Sequence, residues 1–562
     1  MSLLSTIQQS AGALQVNQIG LQVVGNNIAN ANTPGYIRQQ LQQVSAGAVR
    51  EGNLIKGFGV RADGIIQIVD QALVERMYNA QTSLSGSETL DKAYSQLEEL
   101  TTDLDNSGLN RQLSLFNNAL LELSAQPNDS SLRDFVVLQG ETLAKNIRKT
   151  REDAVERREL WNGELDDIAQ QINRLTERVA KLNLEIATIE GGGLLRSDAT
   201  GLRDQRYTDL EELAKLVDIN VQEQENGTVS VFVGGDYLIS NGVRREVYTA
   251  YDPDREGSEV RIVETDSPLQ SSSGRLAAAI TARDQIFGDY IDNLDNVATA
   301  LIRGVNEVHS QGQGRRGHTQ LLSSAAVAAG VPLVDAGFPW APRNGSFDIK
   351  IVDLQGQTIS EHRISVRALG QVTDSTIDSI AAEIDAIDGV TASITSAGRL
   401  EILSDSPAAE FTFSEDTSGF LAAIGLNTFF TGESAYDINV NSALISDSDL
   451  LAVSRGGVGQ DTDVLTELVD LVDRPLQHLS GDSVRMMYED SVASLAQKIN
   501  IQASATEGLR NLHATLQSQH LAISGVNIDE ESIKMIGYQR AFQASSRVIA
   551  TANEMLELLV TL

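Results

Sequence analysis

Cysteine is absent from all 562 residues, which excludes disulfides, thiolate metal sites and cysteine nucleophiles together. Positive charge is scarce: 43 Lys and Arg stand against 77 Asp and Glu, for a net charge of −34. Such a balance argues against a nucleic-acid backbone or an anionic membrane as partner, since both would repel it. The acidity reads instead as solubility. No run of about 18 apolar residues is present to span a membrane. The N-terminus has neither the basic region nor the continuous apolar core of a cleaved secretory signal. Of the six histidines, only His513 and His520 fall into a pattern, and a helical rise of about 10.5 Å separates them, too far for one zinc ion. With no histidine–carboxylate cluster either, the sequence offers no catalytic residues, no metal ligands and no cofactor site.

Charge of either sign is missing from the whole stretch before Arg38. There Leu4, Ile7, Ala11, Leu14, Gln18, Leu21, Gly25 and Ile28 alternate spacings of three and four, which places them on one face of a helix. Gln, Asn and small residues fill the other faces, where a water-facing helix would carry charges. The pattern predicts a helix enclosed by other helices. It stops at Asn26-Asn27-Ile28-Ala29-Asn30-Ala31-Asn32-Thr33-Pro34-Gly35-Tyr36, where Pro34 disfavours helix before it and Gly35 permits a turn.

The far end carries a matching segment. Met535, Tyr538, Phe542, Ser545, Ile549, Ala552, Leu556 and Leu559 also step by three and four, flanked by Ala541, Val548, Met555 and Leu562 at intervals of seven. Asn527 is placed to cap this helix, and Asp529, Glu530 and Glu531 suit the positive end of its dipole. The two termini are expected to pair as a coiled coil. Ile7, Leu14, Leu21, Ile28, Phe542, Ile549, Leu556 and Leu559 are the candidate assembly residues.

The Asn26-Asn27-Ile28-Ala29-Asn30 and Thr33-Pro34-Gly35-Tyr36 pair resembles the N-terminal motif of the bacterial flagellar axial proteins, the rod, hook and hook-associated family. Ser524 to Glu531, Met535-Ile536 and Gln539-Arg540-Ala541-Phe542-Gln543-Ala544 are similar to that family's C-terminal signature. The resemblance implies a structural, non-catalytic part of the flagellum, exported by a type III apparatus without signal cleavage. The motif residues carried over are Asn26, Asn27, Asn30, Thr33, Pro34, Gly35, Tyr36, Gln539 and Arg540. Asn30, Thr33, Gly35 and Tyr36 are expected to fix a bend between the terminal helices and the next layer.

Between the ends, the pattern changes period several times. A glycine-bearing, short-stranded stretch follows Tyr36, and helix resumes at Gln71 with Leu90, Tyr94, Leu97 and Leu104 on one face. Leu109, Leu113, Phe116, Leu120 and Leu123 form another helix closed by Pro127. A long helix is predicted from about Ser131 to Ile189, with Trp161, Leu165, Ile168, Ile172, Leu175, Val179, Leu182, Ile186 and Ile189 at coiled-coil spacing, ended by Gly191-Gly192-Gly193. A short helix from about Asp204 to Val217 leads to a hairpin around Asn226-Gly227, the pair favoured for a type I′ turn. Helix returns over Gly274–His309. Ser346 to about Gly432 reads as strand, strand, helix, strand, strand. The last third is helical, with Leu495, Ile499, Leu509, Leu516 and Ile523 on a seam shared with Gln502, Thr506, His513 and His520.

Three formal matches to ligand motifs fail on context. Gly312-Gln313-Gly314-Arg315-Arg316-Gly317 fits GxGxxG, but a long helix precedes it where a dinucleotide fold needs a strand, so a flexible loop is expected. Asp103-Leu104-Asp105-Asn106-Ser107-Gly108 opens like a calcium loop, yet Ser114 stands at the twelfth position. Asp252, Asp254 and Glu256 fail likewise at Val263.

The expected fold is multidomain α+β: a terminal coiled coil (1–37 with 525–562), a long-helix bundle from both halves of the chain (38–200, 274–311 and 455–524), a small β-rich insert (201–273) and an outer α+β insert (340–440). Leu202-Arg203-Asp204-Gln205-Arg206 running into Leu210, Leu213 and Val217, with the chain's size and acidity, resembles the hook-associated branch, whose place is the junction of hook and filament. The partners this implies are the chain itself, hook protein, the second hook-associated protein and an export chaperone on the C-terminal helix. Alternatives are another axial position, hook or distal rod, or an exported adhesin or enzyme with flagellar-type termini.

Overall fold

The computed structural model describes residues 3–51, 54–101, 108–190, 197–240, 242–253, 257–371, 373–457, 461–475 and 481–561. Leu104, the stretch 103–107, the triple glycine, Asp254, Glu256 and Leu562 lie outside them. In chain order the helices are α1 Leu3–Ala29, α2 Gln71–Thr101, α3 Leu109–Ala125, α4 Ser130–Glu190, α5 Thr200–Leu216, α6 Gly274–Thr281, α7 Gly288–His309, α8 Ile377–Asp385, α9 Phe420–Ile424, α10 Ser442–Ser446, α11 Asp463–Leu471, α12 Val484–Ser524 and α13 Ile528–Thr561. Backbone packing groups the chain into two compact units: 1–94, 159–284 and 499–562 in the first, 95–158 and 285–498 in the second.

In the first unit α1 and α13 lie against each other, and α1 also meets the strand pair Gln39–Ser45 and Val60–Gln67. The second half of α4 supplies the core through the seam read from the sequence: Trp161, Leu165, Ile168, Ile172, Val179 and Ile186 are buried, whereas Ile189 is exposed. Asparagines on α4 then receive the β-rich segment. Asn173 Nδ2 donates to the Val247 carbonyl at 2.7 Å while its Oδ1 accepts the Val247 N–H at 2.9 Å. Asn183 does the same with Val229, at 2.8 and 3.1 Å, and Asn162 Oδ1 accepts the Ser258 N–H at 3.0 Å. A primary amide matches the donor–acceptor pair of an extended residue, so each asparagine satisfies strand groups that a buried helix would otherwise strand.

The β-rich segment holds a four-stranded sheet, Ile219–Glu223, Val229–Val233, Asp236–Ser240 and Val243–Arg244 in sequential order, and a three-stranded one from Val247–Asp252, Gly257–Ile262 and Ser267–Pro268. The hairpin at Asn226-Gly227 is not the expected type I′ turn. Gly227 alone takes positive φ, at 79°. Its N–H bonds the Gln224 carbonyl at 3.0 Å, and Gln224 N–H bonds Thr228 at 2.8 Å, which is a type I turn followed by a left-handed glycine. Asn226 keeps its negative φ because its side-chain oxygen accepts from Thr228 N–H and hydroxyl, at 3.2 and 2.7 Å. A π-helical turn, Ala282–Phe287, also interrupts the predicted Gly274–His309 helix. It carries Arg283, which is fully buried and reaches Asn162 Oδ1 at 3.1 Å.

The second unit packs α3, α7 and α11 around Phe116, whose ring lies 5.4 and 6.0 Å from those of Phe429 and Phe430. Its outer part builds two three-stranded sheets. One is ordered Thr358–Val366, Gly345–Asp353, Ala409–Ser414, and the other Gln320–Leu322, Leu400–Ser404, Val390–Ile394. α8 covers them with Ile377, Ile380, Ala381 and Ile384, over a core containing Phe347, Ile349, Phe411 and Phe413. Strand Ala409–Ser414 is an addition to the expected strand–strand–helix–strand–strand pattern. The GxGxxG segment is a pinned loop: Gln313 and Arg315 amides bond Ser454 and Asp449 carbonyls at 2.9 and 2.8 Å. A Cβ on Gly314 would lie 2.1 Å from the Asp449 oxygen, so the glycines serve close backbone packing.

Candidate assembly interface at the paired termini

α1 buries Val16, Gly20, Val23, Val24 and Asn27. This stripe is rotated from the one read off the sequence. Ile7, Leu14, Leu21 and Ile28 are half-buried, and Leu4, Ala11, Gln18 and Gly25 are exposed. On α13 Ala552 is buried and Met535, Tyr538, Phe542, Ser545, Ile549 and Leu556 are half-buried, while Leu559, Val548 and Met555 are exposed, as are Gln539 and Arg540. Gly20 explains how the helices approach. A Cβ there would lie 2.6 Å from the Tyr538 ring, so only glycine leaves room for the tyrosine.

At the C-terminal end of α1 a polar clasp joins both chain ends. Asn27 is fully buried. Its Nδ2 donates to the Gln39 carbonyl and to Glu531 Oε2, both at 2.9 Å. Its Oδ1 accepts from Tyr36 Oη at 2.9 Å and Gln39 N–H at 3.0 Å. Every hydrogen-bonding position of the amide is therefore used. Glu531, also buried, receives Lys534 Nζ at 2.6 Å on its other oxygen. The cap of α13 forms as expected, with Asn527 Oδ1 accepting Asp529 and Glu530 amides at 3.0 and 3.3 Å. Glu531, read from the sequence only as a dipole charge, is thus a structural ligand of Asn27. No spacing rule distinguishes it from Asp529 or Glu530.

The bend itself is a run of local bonds. Asn30 Nδ2 donates to the Asn26 carbonyl at 3.0 Å, Thr33 Oγ1 donates to Asn30 Oδ1 at 3.3 Å, and Tyr36 N–H bonds the Thr33 carbonyl at 3.2 Å. Pro34 precedes Gly35, whose φ of 76° is left-handed. Beyond it, Ile37 N–H and Gln67 Nε2 donate to Asp204 Oδ1 at 3.3 and 2.6 Å, and Arg38 N–H bonds the Ser524 carbonyl at 2.9 Å. Burial, against these two hydrogen bonds, pushes the Asp204 carboxyl up to about 6. Burial, then the negative charges of Asp204 and Glu531, push the Tyr36 phenol up to about 12, so it remains the donor to Asn27.

The Leu202–Arg206 segment that carries Asp204 is a junction in its own right. Arg203 grips Glu190 through two bonds, at 2.8 and 2.7 Å, and pairs with Glu223 at 2.7 Å. Buried Arg206 donates to the Gly227 carbonyl at 2.6 Å and Asn183 Oδ1 at 3.1 Å. One segment therefore ties the bend to α4 and to the β-hairpin. Among the described residues no group of three or more His, Asp or Glu could hold a metal ion, and no helix is long and apolar enough to cross a membrane.

Residues 94–321 match the family described as flagellar hook-associated protein FlgK helical domain. Residues 7–36 match the flagella basal body rod protein family, and 517–562 the flagellar basal body rod FlgEFG protein C-terminal family. Flagellar hook-associated protein 1 of Bacillus subtilis is 30% identical over 355 residues, covering 55% of this chain and 68% of that protein. The chain belongs to the flagellar hook-associated protein 1 family. The Salmonella typhimurium member is 24% identical over 573 residues, 99% of this chain and 100% of that one. The solved flagellar hook junction protein FlgK of Burkholderia pseudomallei shares the fold, with a TM-score of 0.50 at 15% identity, over 80% of this chain and all of that one. Hook-associated protein 1 family members are structural components of the flagellar axis at the hook–filament junction, and this chain associates there with other axial components as part of the extracellular flagellum. Both family motifs found at the termini fall in the two rod-type matches, where the clasp is built.

Proposed function

We propose that the protein assembles through its paired termini into a ring at the hook–filament junction and that filament growth depends on that ring. The observation that carries this is the apolar surface left over after α1 and α13 pair. Ile7, Leu14, Leu21 and Ile28 are only half-buried, and Leu559 is 62% and Leu558 64% exposed. Neighbouring copies packed head to tail around an axis would cover it. In this reading the role is purely structural, without catalysis. Hook protein meets the ring on one side and the second hook-associated protein on the other, and an export chaperone covers α13 before assembly. The protein leaves the cell by type III export without signal cleavage. The domains are 1–37 with 525–562, then 38–200 with 274–311 and 455–524, then 201–273, then 340–440.

Electron microscopy of cells lacking the gene, with the medium assayed for flagellin, tests the position. Hooks without filaments and flagellin lost to the medium are expected; missing hooks would move the protein to the rod or hook. The chain carrying Leu556→Asp with Leu559→Asp tests the interface. It is expected to keep the melting behaviour of its core and to fail in assembly, and normal filaments from that variant would overturn the terminal-helix reading.

A further inference from the structure

A pocket of about 220 Å³ opens in the second unit beside the segment that follows α9, lined among others by Trp340, Thr428, Glu433 and Asp437. Two of its side chains carry a buried polar atom with no partner among the described residues: Trp340 Nε1 and Thr428 Oγ1. Both side chains are more than nine-tenths buried, at 9% and 2% exposure. A buried polar atom left without a partner is destabilising, so the site is built for something polar. The indole is held in place by the Arg303 guanidinium 5.8 Å from its ring, and Arg303 is itself paired with Glu307 at 2.9 Å. Asp437 Oδ1 accepts the Glu433 and Ser434 amides at 2.8 and 3.0 Å, which fixes that carboxylate at the rim. Neither Glu433 nor Asp437 makes an ion pair among the described residues.

These groups select one chemistry. Indole N–H can only donate and needs an acceptor. The two carboxylates stand exposed at the rim and can only accept. An anion would meet the indole but be repelled by Glu433 and Asp437; a cation would meet the carboxylates and leave the indole unmet. A hydroxyl group supplies both functions, its oxygen accepting from the indole and its hydrogen donating to a carboxylate. The space exceeds the roughly 150 Å³ in which a protein cavity holds one benzene ring. We propose that this pocket binds a single neutral hydroxylated ring, a sugar residue.

Tryptophan fluorescence of the whole chain tests it, because the sequence has only two tryptophans and Trp161 lies in the other unit. Titration with glucose, N-acetylglucosamine and their methyl glycosides is expected to give a saturable emission change that is lost in Trp340→Phe. Acetate and ammonium are expected to give none. Thr428→Val should weaken the sugar about tenfold or more, and Glu433→Gln, an exposed change that leaves the core intact, should weaken it as well. A methyl glycoside bound as tightly as the free sugar identifies the end of a glycan chain; loss on methylation identifies a free sugar. No saturable change with any of the four sugars, preference for an ion, or an unchanged response in both Thr428→Val and Glu433→Gln would overturn the proposal.

Discussion

His309 has no exposed surface and sits between two backbone groups. Its Nε2 accepts the Ala452 N–H at 3.0 Å, so its Nδ1 carries the proton and donates to the Asn427 carbonyl at 2.8 Å. Burial, against the bond to Asn427, drives this imidazole from 6.5 down to about 4. Above pH 6.5 the folded and unfolded chains both hold it neutral, and its contribution is complete. As pH falls from 6.5 toward 4 the unfolded chain takes up the proton first, so the second unit should lose roughly 3 kcal/mol. Denaturant midpoints followed through that range should fall with acid in the wild type and flatten in His309→Gln. Asp204 works with the opposite sign. Its raised carboxyl favours the folded state in acid, and that contribution is lost as pH rises through about 6, so Asp204→Asn should gain most relative to wild type above pH 7. Neither site was legible in advance, because burial of a lone histidine or aspartate depends on partners more than a hundred residues away. Gly20 was likewise just one small residue among several. Gly20→Val would drive its side chain into Tyr538 and should cost about 1–3 kcal/mol of terminal-helix pairing, read as faster amide exchange along α1 and α13.

Elements with a single dominant face were readable. The α4 seam from Trp161 to Ile186 and the α3 run Leu109 to Leu123 bury the residues their spacing selects, and only Ile189 at the end of the α4 seam is exposed, since one partner surface imposes one period. α1 was not readable in this way. It serves α13 on one side and the Gln39–Ser45 ribbon on another, and in an uncharged helix hydropathy alone does not say which apolar side the chain itself covers. Strand Ala409–Ser414 escaped notice although Phe411 and Phe413 alternate, because Thr412 between them and Glu410 and Ser414 on either side weaken the apolar signal in so short a run. The α4 asparagines were invisible for a different reason: on a helix they read as solvent-facing polar residues, yet Asn173 and Asn183 each complete a strand residue. Asn183→Ala should leave Val229 and part of Arg206 unpaired and cost about 1–3 kcal/mol. Exchange of the Val229 amide should rise with it, whereas Asn183→Asp, which keeps the acceptor, should protect that amide better than alanine does.

At the scale of the molecule the chain is closed on itself. Asn27 and Glu531, 504 positions apart, share a hydrogen bond inside a buried site, so the first and last helices form one element that neither could form alone. The motif at each end was recognisable as sequence; the shared clasp accounts for Asn27, Tyr36 and Glu531 within it, since Asn27 must satisfy Tyr36, Gln39 and Glu531 at once. An aspartate would lose both donors, and an alanine would leave one oxygen of the buried Glu531 carboxylate and the half-buried Tyr36 phenol without that partner. Removing both partners should therefore cost less than the two single losses added together. Asn27→Ala and Glu531→Ala singly should each cost about 1–3 kcal/mol, and the double variant should recover part of the sum, with a coupling of about 0.5–3 kcal/mol. Amide exchange over α1 and α13 reads that coupling in the whole chain. Strict additivity would mean that the two ends are held by apolar packing alone, and that the clasp only records their meeting. Strong coupling would mean that the ends are locked in register by the clasp before any neighbour covers their outer faces, which is what a ring built from identical copies requires of each one.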